Sequence, residues 1–148
     1  MRASRALALD EDVTSTALAE RRDPAVRARL SAPAIRTFLN VAAAWALTVE
    51  EQRVLLGGPS TSSYHNWKAG RVAALSFDQL ERISLVLGIY KALRLLFSDD
   101  AAGLRWLKAL NREPVFAGRS PLDRMLRGSI DDLYAVRRYL DAWRGVWP

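Results

Sequence analysis

Thr48-Val49-Glu50-Glu51-Gln52-Arg53-Val54-Leu55-Leu56-Gly57-Gly58-Pro59-Ser60-Thr61-Ser62-Ser63-Tyr64-His65-Asn66-Trp67-Lys68-Ala69-Gly70 reads as two short helices and the turn between them. Thr48 and Glu51 form a capping box, in which the hydroxyl accepts from the third amide and the carboxylate reaches back to the cap residue's own amide. The helix they open is expected to run to about Leu56. Gly57-Gly58-Pro59 stops it, because glycine supplies unusual backbone angles and proline cannot continue the hydrogen-bond ladder. Ser60 caps a second short helix and Gly70 ends it as a left-handed terminator. With one helix before and a long one after, this is the helix-turn-helix arrangement.

From Ser60 to Lys68 almost every side chain can make a hydrogen bond. That is unusual for a helix held only by packing and suits one that faces phosphates and base edges. The expected DNA contacts are Ser60, Thr61, Ser63, Tyr64, Asn66, Lys68 and Arg71. Asn66 suits adenine, Lys68 and Arg71 suit the backbone, and the amides at the helix start favour a phosphate. No acid lies between Glu51 and Asp78, while Arg53, Lys68 and Arg71 are basic. Trp67 is expected to anchor the helix in the core, and His65 to be a polar surface residue. The competing reading is a serine-rich helix that is simply solvated, since the motif alone does not prove DNA binding.

Upstream, residues 1–33 mix charges without a sustained apolar period and form either a disordered arm or one that orders against a partner. Asp23-Pro24 caps a short helix through Leu30, and Pro33 marks a boundary. From Ala34, the residues Ile35, Phe38, Leu39, Ala42, Trp45 and Ala46 share one helical face. Downstream, Ser76-Phe77-Asp78-Gln79 is a second capping box opening a helix that runs through Leu80, Ile83 and Leu87 to Phe97. Its apolar residues go nearly all round after Ile83, which predicts burial on more than one side. A helix after Ser98-Asp99-Asp100 carries Leu104, Trp106, Leu107 and Leu110, and Asn111 and Pro114 close it. Ser120-Pro121-Leu122-Asp123 starts a short helix ending at Gly128. Ser129-Ile130-Asp131-Asp132 starts the last one, with Ile130, Leu133, Val136, Leu140 and Trp143 on its face and Gly145 as its stop. The polar side of that helix carries Arg137, Arg138 and Arg144. No strand pattern and no repeat emerges, so the fold class is all-α.

The 148-residue chain has no Cys and one His, which removes disulfide frameworks, thiol nucleophiles and Cys-based zinc sites. Asp99-Asp100 and Asp131-Asp132 are paired carboxylates, but both sit at helix N-termini where the macrodipole favours them. No glycine-rich phosphate loop accompanies them, and catalysis is not expected. No apolar run approaches the roughly 18 residues of a membrane span. Asp10, Glu11 and Asp12 interrupt any secretory h-region behind Met1-Arg2-Ala3-Ser4-Arg5, so a cytoplasmic protein is expected. The net charge of +6 suits an anionic partner, and equally suits a solvated arginine-rich surface.

From Leu55 onward the chain resembles the antitoxin family called Xre/MbcA/ParS. The resemblance rests on Leu56-Gly57, Tyr64-His65-Asn66-Trp67-Lys68-Ala69-Gly70, Leu80-Glu81-Arg82-Ile83-Ser84, Ile89-Tyr90-Lys91-Ala92-Leu93 and Trp106-Leu107. Its most specific part is Phe116-Ala117-Gly118-Arg119-Ser120-Pro121-Leu122-Asp123, followed by Gly128 and the closing helix to Gly145. It implies a helix-turn-helix unit packed with a C-terminal helical toxin-binding domain: an arm over 1–33, the helix-turn-helix domain over 34–97, and the toxin-binding domain over 98–148.

By that resemblance, the chain neutralises a RES-type toxin that uses NAD and represses its own operon by binding operator DNA. NAD would belong to the toxin, and no cofactor or metal is expected in this chain. The implied toxin contacts are Arg119, Ser120, Asp123, Arg144, Gly145, Trp147 and Pro148, while Trp143 is expected in the core. A homodimer or a larger hetero-oligomer with toxin is implied, and no membrane association. The alternative is a dimeric helix-turn-helix repressor without a toxin partner.

Overall fold

The structure, a computed structural model, describes residues 22–145, and among these residues it is all-helical with no strand. The helices are α1 (Pro24–Ala44), α2 (Val49–Leu55), α3 (Thr61–Lys68), α4 (Phe77–Leu96), α5 (Asp100–Lys108), α6 (Pro121–Met125) and α7 (Ile130–Trp143). The chain forms two compact units, one up to Leu87 and one from Gly88 on. Residues 1–21 of the expected arm lie outside the described residues, as do Trp147 and Pro148.

The start of α1 is as expected: Asp23 accepts from the Ala25 amide and Pro24 takes the first helical position. Its end is not. The helix expected to stop by Pro33 runs through that proline to Ala44. An internal proline costs about 3 kcal/mol. Against this, Leu30, Ile35 and Phe38 become buried on one face, each worth about 2 kcal/mol. The Thr37 hydroxyl also donates to the Pro33 carbonyl at 2.9 Å. Packing therefore outweighs the local penalty.

Ser31, also buried, donates to the Arg27 carbonyl at 2.5 Å and accepts from the Leu75 amide at 2.8 Å. The loop before α4 is thereby tied to α1, and α1 also packs against α3.

The ends of α1, α2 and α3 repeat one device, in which the chain turns left-handed and its next amides satisfy the last carbonyls. Gly57 and Gly70 both have φ of 88° at this position. The amides of Gly58 and Arg71 donate back to Arg53 and Asn66, each at 2.8 Å. At the end of α1 the left-handed residue is Ala46, with φ of 53°. The Leu47 amide closes the same bond onto Ala42 at 2.9 Å.

Helix α4 opens with the expected capping box between Ser76 and Gln79. Its first half contributes Leu80, Ile83, Val86 and Leu87 to the core of the first unit. In the second unit, Ile89, Ala92 and Leu93 are buried, as are Leu107 of α5, Met125 of α6, and Leu133, Val136 and Leu140 of α7. Leu110, expected on the α5 face, is 80% exposed. The helix stops at Lys108, so Leu110 leaves the helical period before it can turn inward.

The Ser120–Asp123 and Ser129–Asp132 capping boxes are both formed. Asp132 does more than cap: buried, it accepts from Arg124 Nε at 2.6 Å, while Arg124 Nη1 donates to the Val115 carbonyl at 2.8 Å. This pair joins α6, α7 and the loop ahead of them.

A left-handed alanine is strained by roughly 1–2 kcal/mol relative to glycine, partly offset by the greater entropy of an unfolded glycine. Ala46→Gly is therefore expected to stabilise the protein by about 0.5–1 kcal/mol. A higher denaturant midpoint with an unchanged slope is the expected result.

Candidate functional site

Helix α3 is capped by Ser60, whose Oγ accepts from the Ser63 amide at 3.1 Å and donates to the Ser63 hydroxyl at 3.0 Å. Thr61, Asn66, Lys68 and Arg71 are exposed, as expected of residues that meet a ligand. Tyr64 is not. It is 1% exposed, and its hydroxyl donates to Gln52 Oε1 on α2 at 2.6 Å. Tyr64 is thus the core anchor, while Trp67, expected in that role, is half-buried. Positions 64 and 67 lie one turn apart on the inward face, and the sequence does not rank two large aromatics so placed. Ser62 and His65, absent from the expected contacts, are exposed on the same helix. The helical period with 64 and 67 inward would have found them.

The cations around α3 differ in what they are committed to. Arg53 pairs with Glu50 at 2.8 Å and donates through Nε to the Pro59 carbonyl at 3.0 Å, so it serves the turn. Arg71 donates from Nε and Nη2 to Asn66 Oδ1 at 3.2 and 3.0 Å. Asp78, the acid that closes the acid-free stretch, pairs with Arg82 at 2.8 Å. Lys68 is exposed in the last turn of α3.

In the second unit, the loop after α5 is closed by Asn111, whose amide donates to the Arg119 carbonyl at 3.0 Å and whose carbonyl accepts from Gly118 at 2.9 Å. Ala117 and Gly118 are both left-handed there, with φ of 50° and 81°. The loop presents Phe116 inward and Arg119 outward. Phe116 packs edge-on against Tyr139 at 5.0 Å and Trp106 at 5.8 Å, and Trp106 stacks on Tyr139 at 5.9 Å.

Trp143 extends this cluster, 5.3 Å from Tyr139 and 6.3 Å from Trp106, yet it is 53% exposed. The expectation that Trp143 is core is therefore corrected. It sits at the last position of α7, so only one face of the indole meets the cluster. Of the expected toxin contacts, Ser120 is buried and spends its hydroxyl on the Asp123 amide. Asp123 is exposed but caps in return. Arg144 is half-buried beside Asp141 at 3.7 Å, and Gly145 is left-handed with φ of 71°.

Burial holds the Tyr64 hydroxyl above the usual phenol range, and burial followed by the nearby Glu113 carboxylate does the same to Tyr139. Among the described residues, no group of three or more His, Cys, Asp or Glu side chains could hold a metal ion. No described helix is long and apolar enough to cross a membrane.

These features define a helix-turn-helix protein that carries a second helical unit with a partly uncovered aromatic cluster. Residues 21–88 match the description "Antitoxin Xre-like helix-turn-helix domain", and residues 92–145 match "Antitoxin Xre/MbcA/ParS C-terminal toxin-binding domain". A relative from Sinorhizobium fredii (strain NBRC 101917 / NGR234), the uncharacterized protein y4oB, is 40% identical over 111 residues, spanning 75% of this chain and 84% of that protein. The chain belongs to the Xre/MbcA/ParS family of antitoxins.

Tyr64→Phe removes a buried hydrogen bond and is expected to cost about 1 kcal/mol at neutral pH. Because the folded phenol ionises above its unfolded value of 10.0, its contribution is whole below that pH. It is lost as pH rises through the folded value. Alkaline denaturation should therefore be shallower in Tyr64→Phe than in the parent, as urea melts at successive pH values would measure.

Proposed function

We propose that this chain is the antitoxin of a type II toxin–antitoxin system, binding and neutralising a RES-type toxin that uses NAD and repressing its own operon through α3. The carrying observation is the succession, in one chain, of a helix-turn-helix antitoxin match and a toxin-binding match. In this reading, the toxin meets the second unit around Trp143, Arg144 and Arg119. An aromatic at a helix end, half packed and half uncovered, has the composition of an interface hot spot. Operator DNA meets the exposed side of α3, where Thr61, Asn66 and Lys68 are exposed within a stretch of sequence that carries no acid. The protein then works in the cytoplasm, as a homodimer or within a larger complex with toxin.

The test is co-expression with the product of the adjacent reading frame. The expected result is a co-purifying complex and rescue of growth. A chain that captures no RES-type toxin and rescues no cell overturns the reading. Trp143→Ala is expected to weaken the complex at least about tenfold, because truncating an interface anchor commonly costs about 2 kcal/mol. Isothermal titration with the purified toxin measures this.

On the DNA side, Lys68→Ala is expected to lower the slope of log affinity against log salt by about one, the signature of one lost phosphate contact. Toxin neutralisation should be unaffected.

A further inference from the structure

The pairing of Arg71 with Asn66 has a consequence for base recognition. An asparagine that reads adenine uses both halves of its amide, accepting from N6 and donating to N7. Here the accepting half is occupied. Arg71 Nε and Nη2 both donate to Asn66 Oδ1, at 3.2 and 3.0 Å, which turns that oxygen towards the guanidinium and the NH2 group away from it. The arrangement is built in from the backbone. Gly70, left-handed at φ of 88°, turns the chain back, and the Arg71 amide donates to the Asn66 carbonyl at 2.8 Å. Residues 66 and 71 are therefore joined by main chain and side chain together. Asn66 is exposed, and its NH2 group can only donate.

We infer that Asn66, held by Arg71, presents donors alone and selects guanine, whose O6 and N7 are both acceptors in the major groove. Adenine offers one acceptor and one donor there, and its N6 amino group would face the Asn66 amino group with no hydrogen bond between them. Arg71 is then a positioning residue for base choice as well as a cation near the phosphates. This rests on the reading of α3 as the DNA-facing helix. It replaces the expectation that Asn66 pairs with adenine.

The experiment is selection of duplexes from a randomised pool by the full-length chain, repeated with Asn66→Ala, Arg71→Ala and Arg71→Lys. Thermal melts would establish that each variant folds. The base position whose preference vanishes in Asn66→Ala is the one Asn66 reads. The parent should prefer guanine over adenine there by about tenfold. Arg71→Ala frees Oδ1 and should bring adenine to parity or above at that position only, while Arg71→Lys, with a single donor group, should retain part of the guanine preference. Adenine preferred by the parent, no position sensitive to Asn66→Ala, or an unaltered preference in Arg71→Ala each overturn the inference while leaving DNA binding intact. A pool in which nothing is enriched overturns the DNA reading itself, and the inference with it.

Discussion

The buried ring of Tyr64, with its hydroxyl donating to Gln52, is the contact that makes a polar eight-residue helix a fixed part of the fold. Isolated helices of this length do not hold in water. Tyr64 is the one residue of α3 that is fully buried, so its ring and its hydrogen bond carry much of the anchoring. Gln52 passes the constraint on, since its Nε2 donates to the Leu47 carbonyl just beyond α1 at 3.1 Å. Three consecutive segments are thus referenced to one buried phenol. The rest of α3 is relieved of packing duty, which is why Thr61, Ser62, His65, Asn66 and Lys68 can all stand exposed.

Around that anchor, short elements are made sharp by their ends. Thr48, Ser60, Ser76, Ser120 and Ser129 each satisfy an otherwise unpaired amide at a helix start. Left-handed residues close the first three helices. The second unit adds charge to the same scheme. Arg124 and Asp132 link its two last helices, and Arg137, held by Asp141 at 3.0 Å, lies where a side chain at Gly88 would otherwise go.

Much of this was legible because caps and terminators are local. A serine three residues ahead of an acid or amide, or a glycine after the last apolar position, signals its role within one turn of chain. The helix-turn-helix, all the capping boxes and the α-only class follow from such signals. Pro33 was misleading for the same reason: its cost is local, but the packing of Leu30, Ile35 and Phe38 that overrides it is not. The Ser31–Leu75 bond joins residues 44 apart and leaves no periodic trace. Nor does the Arg124–Asp132 pair, because Asp132 reads completely as a cap. Trp143 and Tyr64 exchanged their expected places for a geometric reason. An aromatic at a helix end has one free side whatever its hydropathy, whereas an aromatic facing a glutamine on the neighbouring helix can be buried with its hydroxyl satisfied.

A hydroxyl or carboxylate that caps a helix is not equally available to a ligand, and this narrows both candidate surfaces. Ser60, Ser63, Ser120 and Asp123 are committed to helix starts. A ligand contacting them must share or break those bonds, at about 1 kcal/mol for each cap lost. Thr61 and Lys68 carry no such obligation among the hydrogen bonds that define α3, and Asn66 carries one on its oxygen alone. Discrimination by α3 thus rests on fewer side chains than its composition suggests, and on their geometry more than their number. The same holds in the second unit. There the polar groups of the Arg119–Asp123 turn mostly shape the loop, and the uncovered face of Trp143 is left as the larger source of contact area.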